Sequence, residues 1–174
     1  DPEKSQPLRS HRSPPLAGMA QVPGDKSVSQ REQILGALAA GATHITGLLE
    51  SGDVHSTAGA LRGFGAELTC QAPGRWTVRG TGVGNWKSPS SELDFGNSGT
   101  GSRLVMGAMA TTPITAVFSG DASLQSRPMG RVLDPLTHYG ATYRARAGAL
   151  MPLTVTGAAL PTPVDYHVKV ASAQ

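Results

Sequence analysis

The stretch "GDKSVSQREQILGALAAGATHITGLL", residues 24–49, recurs in altered form as "GNSGTGSRLVMGAMATTPITAVFSGD" at residues 96–121. Arg31 falls on Arg103, 72 residues further on. Each copy reads as a small-residue loop, an arginine, an Ala-rich helix, a breaker and a strand. Beyond it, Gly65-Ala66 falls on Gly140-Ala141 at a spacing of 75, so the copies differ by one small insertion. Self-similarity at such a period marks a tandem repeat of one supersecondary unit.

The first helix of each unit is expected at about 28–40 and 99–110, closed by Gly41 and Pro113. The strands "THITGLL" and "ITAVFSG" follow. A second helix carries Val54, Ala58, Leu61 and Phe64 at helical spacing up to Gly65, and in the other copy Met129, Leu133 and Leu136 up to Gly140. Pro128 suits that helix's first turn, whereas Pro135 inside it costs about 3 kcal/mol and predicts a bend. Two strands close each unit: "AELTCQ" and "RWTVRG" around Pro73-Gly74, then "ATYRARA" and "LTVTG". "LAGMAQVPG" (16–24) reads as a strand leading into the first copy, so the unit is βαβαββ and the class α/β (α+β). The expected layout is a Pro-rich flexible tail at 1–15, one repeat at about 24–80 and another at about 93–157. A third begins at about 164–174 with "YHVKVASAQ" and breaks off before its helix, leaving one incomplete domain.

Of 174 residues, 39% are hydrophobic and 5% aromatic, with 22 Gly and 13 Pro, which suits a core of small side chains with many turns. The net charge of +3 is scattered and few aromatics accompany it, which argues against nucleic acid and for a small anion held by placed cations. No run of about 18 apolar residues is present, and acids and prolines occupy the first 15 positions, so neither a membrane span nor a signal peptide is expected. The lone Cys70, read as a buried strand residue, fits a soluble protein of a reducing, cytoplasmic compartment.

Three loops feed helix starts and bring cationic or amide side chains with them. A helix start presents unpaired N–H groups and a partial positive charge, which attract phosphate or carboxylate. At the first, Lys26, Ser27 and Arg31 add donors, Ser27 and Arg31 sharing a face; plain capping by Asp25 or Ser27 is the alternative. At the second, "DFGNSGTGSR" (94–103), small residues let backbone approach a ligand beside Asn97, Gly99 and Arg103, although Arg103 also suits a structural ion pair. At the third, "GDASLQSRPMGR" (120–131), Arg127 stands directly before Pro128, and Arg131 suits a structural role. "GDKS" is not a P-loop, because Asp25 separates Gly from Lys, and "GNSGT" is not a nucleophile elbow. The five histidines show no metal-ligand spacing, so no metal is expected.

"GDKSVSQR", "GNSGTGSR", "GDASLQSRPMGRVLDPL" and the terminal "ASAQ" together resemble the 5-enolpyruvylshikimate-3-phosphate synthases over residues 16–174, nearer the bacterial class II branch. The resemblance implies a fold of βαβαββ units in two domains, with the active site between them. The activity implied is transfer of the enolpyruvyl group of phosphoenolpyruvate to the 5-hydroxyl of shikimate 3-phosphate, releasing phosphate and using no cofactor. It also implies that Lys26 is catalytic and touches both substrates. Ser27, Arg31, Ser172, Ala173 and Gln174 then meet shikimate 3-phosphate, and Asn97, Gly99, Arg127 and Gln174 meet phosphoenolpyruvate. Gln30 stands where the family usually has His and Ser98 where it usually has Ala. Gly99 keeps the small residue that accompanies glyphosate sensitivity. The acid/base carboxylates and further arginines come from a C-terminal half that this chain does not hold, so the chain alone is expected to be inactive. A stand-alone phosphate- or carboxylate-binding module, and a relative of the UDP-N-acetylglucosamine enolpyruvyl transferases, are the alternatives; the latter family lacks "GDKS" and uses a loop cysteine that Cys70 does not replace.

Overall fold

A computed structural model describes residues 9–168. Its elements run α1 (Lys26–Leu38), β1 (Ala40–Thr46), α2 (Gly52–Gly63), β2 (Glu67–Ala72), β3 (Arg75–Thr81), β4 (Leu93–Asp94), α3 (Gly99–Met109), β5 (Thr115–Ser119), α4 (Ala122–Gln125), α5 (Gly130–His138), β6 (Thr142–Arg146) and β7 (Leu150–Thr156). The order helix, strand, helix, strand, strand thus occurs twice, the second time behind the two-residue β4 and with the extra turn of α4.

The strands form two sheets, β1-β3-β2 and β4-β5-β7-β6. The first is antiparallel throughout, with Ile45 opposite Trp76 and Leu68 opposite Val78. In the second, β4 runs parallel to β5 and the remaining pairs are antiparallel. Side chains alternate across a strand, so Ile45, Leu68, Trp76 and Val78 form the inner face of one sheet and Ala116, Phe118, Leu153 and Val155 that of the other, all buried. These faces and the helices share one apolar core, in which Phe64 stacks on Trp86 at 4.7 Å and Phe95 on Phe118 at 5.5 Å. Burying each such side chain contributes roughly 1.5–3 kcal/mol. Trp86 belongs to the connection between the two sheets, and its indole N–H donates to Ala37 O at 3.2 Å, so this connection is part of the core.

Two close approaches set the direction of the helices. A Cβ on Gly80, in β3, would lie 2.2 Å from the carbonyl oxygens of Gly36 and Ala39 at the end of α1. One on Gly157, just after β7, would lie 2.0 Å from Thr112 O and 2.5 Å from Met109 O at the end of α3. Each unit therefore seats the C-terminal end of its first helix against its last strand, which leaves the starts of α1 and α3 at the opposite end. The start of α2 is anchored separately. Glu50 accepts hydrogen bonds from Trp76 Nε1 (2.9 Å) and the Gly74 amide (3.0 Å), and pairs with His55 Nε2 at 2.9 Å. The Trp76 and Gly74 bonds, with the His55 charge, hold its carboxyl below its ordinary value.

Several expectations are corrected. Residues 16–24 form no strand, because no neighbouring strand among the described residues takes up their backbone groups; Leu16, Met19 and Val22 are exposed. Helix α1 ends at Leu38, and Gly41 lies within β1. The second-unit helix starts at Gly130, behind Met129 at its cap, so Pro128 precedes it; α5 then continues through Pro135. Cys70 is exposed on β2, its thiol directed to Ala72 O at 3.3 Å, because β2 is an edge strand with only Leu68 buried. Residues 166–168 are without regular structure, and the rest of the expected third-unit strand lies outside the described residues. Among the described residues no helix is long and apolar enough to cross a membrane.

Candidate active site at the helix starts

Helix α1 is capped by Asp25, whose carboxylate accepts from the Val28 amide at 2.7 Å, so the capping role falls to Asp25 and not to Ser27. Ser29 fixes the cap to the rest of the unit, donating to Asp25 O (2.7 Å) and accepting from the Leu49 amide (3.0 Å). Lys26 Nζ lies 2.9 Å from Asp53 Oδ2 in the first turn of α2, with 49% and 24% of the two side chains exposed. An ion pair that open contributes under about 1 kcal/mol, so it orients the ammonium more than it stabilises the fold. Ser27 is half-buried, and Arg31 is exposed with no partner among the described residues.

At the start of α3 the cap is Ser98, fully buried, whose hydroxyl accepts from the Gly101 amide at 3.2 Å. The first helical residue is Gly99. A Cβ there would lie 3.0 Å from Arg103 Nη1 and 3.1 Å from Arg127 Nη1, so two guanidinium ends meet over bare backbone. Arg103 Nη1 donates to Gly99 O at 3.3 Å. Arg127 Nη2 donates to Asn97 Oδ1 at 2.6 Å and Ser123 Oγ at 3.0 Å. Asn97 is oriented in turn by Asp121, which accepts from Asn97 Nδ2 at 2.7 Å and caps α4 through the Leu124 amide at 2.7 Å. The Asn97 bond, then the Leu124 amide and the Arg127 charge, hold the Asp121 carboxyl below its ordinary value, so it remains an anion and keeps the Asn97 oxygen turned to Arg127.

Burial, and then the charges of Arg131 and Arg127, lower the proton affinity of Arg103. A guanidinium stays charged regardless, so like charges gather at Gly99 in a field that an anionic ligand relieves. Arg103 Nε is buried there without a hydrogen-bond partner among the described residues. The repeat equates Arg31 with Arg103, yet the structure separates them: one faces solvent from α1, and the other folds back onto the start of its own helix.

The two helix starts are joined by Gln30, fully buried on α1. Its Nε2 donates to Ser98 Oγ at 2.7 Å, and to Thr57 Oγ1 and Asp53 O at 3.2 Å. Gln30 and Ser98, the two positions where the chain departs from the pattern it resembles, are therefore direct partners. Lys26, Asn97, Gly99 and Arg127 are thus linked through Asp53, Gln30 and Ser98, whereas Ser172, Ala173 and Gln174 lie outside the described residues. Sequence reasoning missed Asp53, Thr57 and the bridging role of Gln30. The available signal was a glutamine on the face of α1 that also carries Ile34 and Ala37. Among the described residues no group of His, Cys, Asp and Glu could hold a metal ion. An open groove of about 420 Å³, lined by His44, Gln71, Arg75 and Trp76 among others, shares no residue with this site.

Residues 11–174 match the family model for EPSP synthase (3-phosphoshikimate 1-carboxyvinyltransferase). The chain is similar to the 3-phosphoshikimate 1-carboxyvinyltransferases of Dinoroseobacter shibae and Paracoccus denitrificans, at 60% identity over 168 residues in each case. The match takes in 97% of this chain and 37% and 38% of those proteins. Among solved structures it resembles the EPSP synthase from Acinetobacter baumannii, with a TM-score of 0.84 and 40% identity over 90% of this chain and 36% of that one. The chain spans a little over a third of the length of the curated relatives it matches.

Proposed function

The chain belongs to the EPSP synthase family, and from that premise we propose that its helix-start site binds phosphoenolpyruvate and shikimate 3-phosphate and, in the intact protein, transfers the enolpyruvyl group between them. The observation that carries the reading is the meeting of the Arg103 and Arg127 guanidinium ends over the bare backbone of Gly99. A planar guanidinium pairs with phosphate or carboxylate through two parallel N–H bonds. The partial positive charge at the start of α3 adds to that field, while the Gly99 and Gly101 amides are already bonded, to Asn97 O at 2.8 Å and Ser98 Oγ at 3.2 Å. Phosphoenolpyruvate is held here by Asn97, Gly99 and Arg127, with Lys26 and Gln174 completing the contact; Lys26, Ser27, Arg31, Ser172, Ala173 and Gln174 hold shikimate 3-phosphate.

In the reaction, a proton adds to the methylene carbon of phosphoenolpyruvate and the 5-hydroxyl oxygen adds to C2 as it gives up its own proton. The C2–O bond to phosphate then breaks and the methyl group returns a proton, leaving the enol ether and inorganic phosphate. Charge builds at C2 and on the departing phosphate, and cations placed beforehand stabilise both. The Lys26 ammonium, held by Asp53 at 2.9 Å, is assigned the proton transfer on this reading.

The resemblance implies further carboxylates and arginines of the cleft beyond those of this chain, and on that reading substrate is enclosed only in the intact protein. Phosphate release from the two substrates, followed by a colorimetric assay, is expected from the intact protein and not from the purified 174-residue chain. Turnover by the chain alone would overturn the shared-cleft reading. A folded intact protein that releases no phosphate would overturn the function.

A further inference from the structure

We infer that Gln30 is a positioning residue: its buried carboxamide holds the Ser98–Gly101 turn and the start of α2 in one frame, and so sets how tightly phosphoenolpyruvate is held between Gly99 and Arg127. The inference deepens the function proposed above and rests on it.

The chemistry of the three partners requires a donor at this place. Thr57 Oγ1 already gives its hydrogen to Asp53 O at 2.9 Å, and the Ser98 hydroxyl oxygen already accepts from the Gly101 amide. Thr57 Oγ1 therefore meets Gln30 as an acceptor, and Asp53 O can only accept; these two turn the NH2 end of the carboxamide to this side, 2.7 Å from Ser98 Oγ, and leave Oε1 buried without a partner among the described residues. One side chain of α1 thus ties the cap of α3 to the backbone of the residue that orients Lys26. An apolar side chain of similar volume would take one donor from each of these oxygens and leave Thr57 Oγ1 with none among the described residues.

The network has no slack. A Cβ on Gly101 would lie 2.3 Å from Thr57 Oγ1, 2.6 Å from Ser98 Oγ and 3.0 Å from Gln30 Nε2, so these polar atoms fill the space under the first turn of α3. A shift of the carboxamide moves Ser98, and Ser98 is bonded to Gly99 in the chain. Arg103 Nη1 is bonded to Gly99 O at 3.3 Å, and both guanidinium ends crowd the place a Gly99 Cβ would take, so a small movement there changes the seat of the anion directly. Arg31, on the exposed side of α1, is not part of this frame.

Two readouts on Gln30→Leu and Ser98→Ala test the inference. Amide hydrogen exchange needs no substrate: protection of the Gly101 and Ser102 amides is expected to fall roughly tenfold in Gln30→Leu, with α5 and β7 unchanged. In the intact protein, the KM for phosphoenolpyruvate is expected to rise roughly tenfold, with kcat and the KM for shikimate 3-phosphate within about twofold. Gln30→His, which keeps a ring N–H donor, should recover most of the loss. Ser98→Ala should reproduce part of it in a chain that folds. Uniformly faster exchange, no change in exchange, or equal rises of both KM values would overturn the inference. A wild-type intact protein without turnover would count against the proposed function instead, and the exchange arm would still decide the positioning claim.

Discussion

Lys26→Met is expected to lower kcat/KM of the intact protein on the order of 10³-fold, roughly 4 kcal/mol of lost transition-state stabilisation, while the melting temperature moves by no more than about 2 °C. The two halves of this expectation come from the same geometry. The Lys26–Asp53 pair is 2.9 Å long but open to solvent, so its loss barely touches the fold. For the ligand the change is larger. On the proposed function it removes a cation from the seat of phosphate and carboxylate charge, and it leaves Asp53, only 24% exposed, as an unneutralised anion beside it. Methionine keeps the length of the side chain, so lost packing does not enter. Phosphate-release kinetics beside a thermal melt check the prediction. A loss below tenfold, or one that follows unfolding, would remove Lys26 from the site.

Gly157→Ala is expected to destabilise the fold strongly, by on the order of 3 kcal/mol. The added carbon would lie 2.0 Å and 2.5 Å from two backbone carbonyl oxygens, and backbone cannot step aside as a flexible side-chain end can. The end of α3 must lift from the sheet, or the chain after β7 must bend away. Gly107→Ala is the control. It lies in the last turn of α3 with open space around the new carbon, so the swap should stabilise by a few tenths of a kcal/mol, up to about 1, through helix propensity. Urea unfolding of both variants, read at the transition midpoint with the slope unchanged, separates the two signs.

Much of this architecture was legible in the chain because the repeat repeats its punctuation. Gly65 and Gly140, the Pro73-Gly74 turn and the Arg31/Arg103 correspondence fix where elements stop, and the elements followed to within a few residues. The failures have physical causes. Periodicity around "LAGMAQVPG" reports only that residues 16–24 could form a strand, whereas pairing requires a neighbour, and none is present among the described residues. Cys70 alternates correctly with Leu68, but an edge strand buries less than its pattern suggests. Nothing in "GDASLQSRPMGR" separates the short α4 from the start of α5, since Asp121 and Met129 occupy two cap positions only eight residues apart in the text of one loop.

For the site, helix starts, small residues and isolated cations could be read directly, because each is a local signal. What could not be read is which of two equivalent arginines turns inward. Arg31 and Arg103 follow similar loops, yet only Arg103 has a glycine four residues before it whose missing side chain leaves room for the guanidinium to fold back. Gln30 was invisible for a related reason. Its meaning depends on Ser98, 68 positions away, and a buried carboxamide explains itself only when its acceptors are in view.

The most direct measurement is a titration of the intact protein with phosphoenolpyruvate in the presence of shikimate 3-phosphate, following the Gly99 amide, the Arg127 side chain and the Lys26 ammonium by NMR with selective labels. All three are expected to shift with a single midpoint, as parts of one anion seat. Separate midpoints, or a silent Lys26 beside a responding Gly99, would show that the helix starts serve different surfaces.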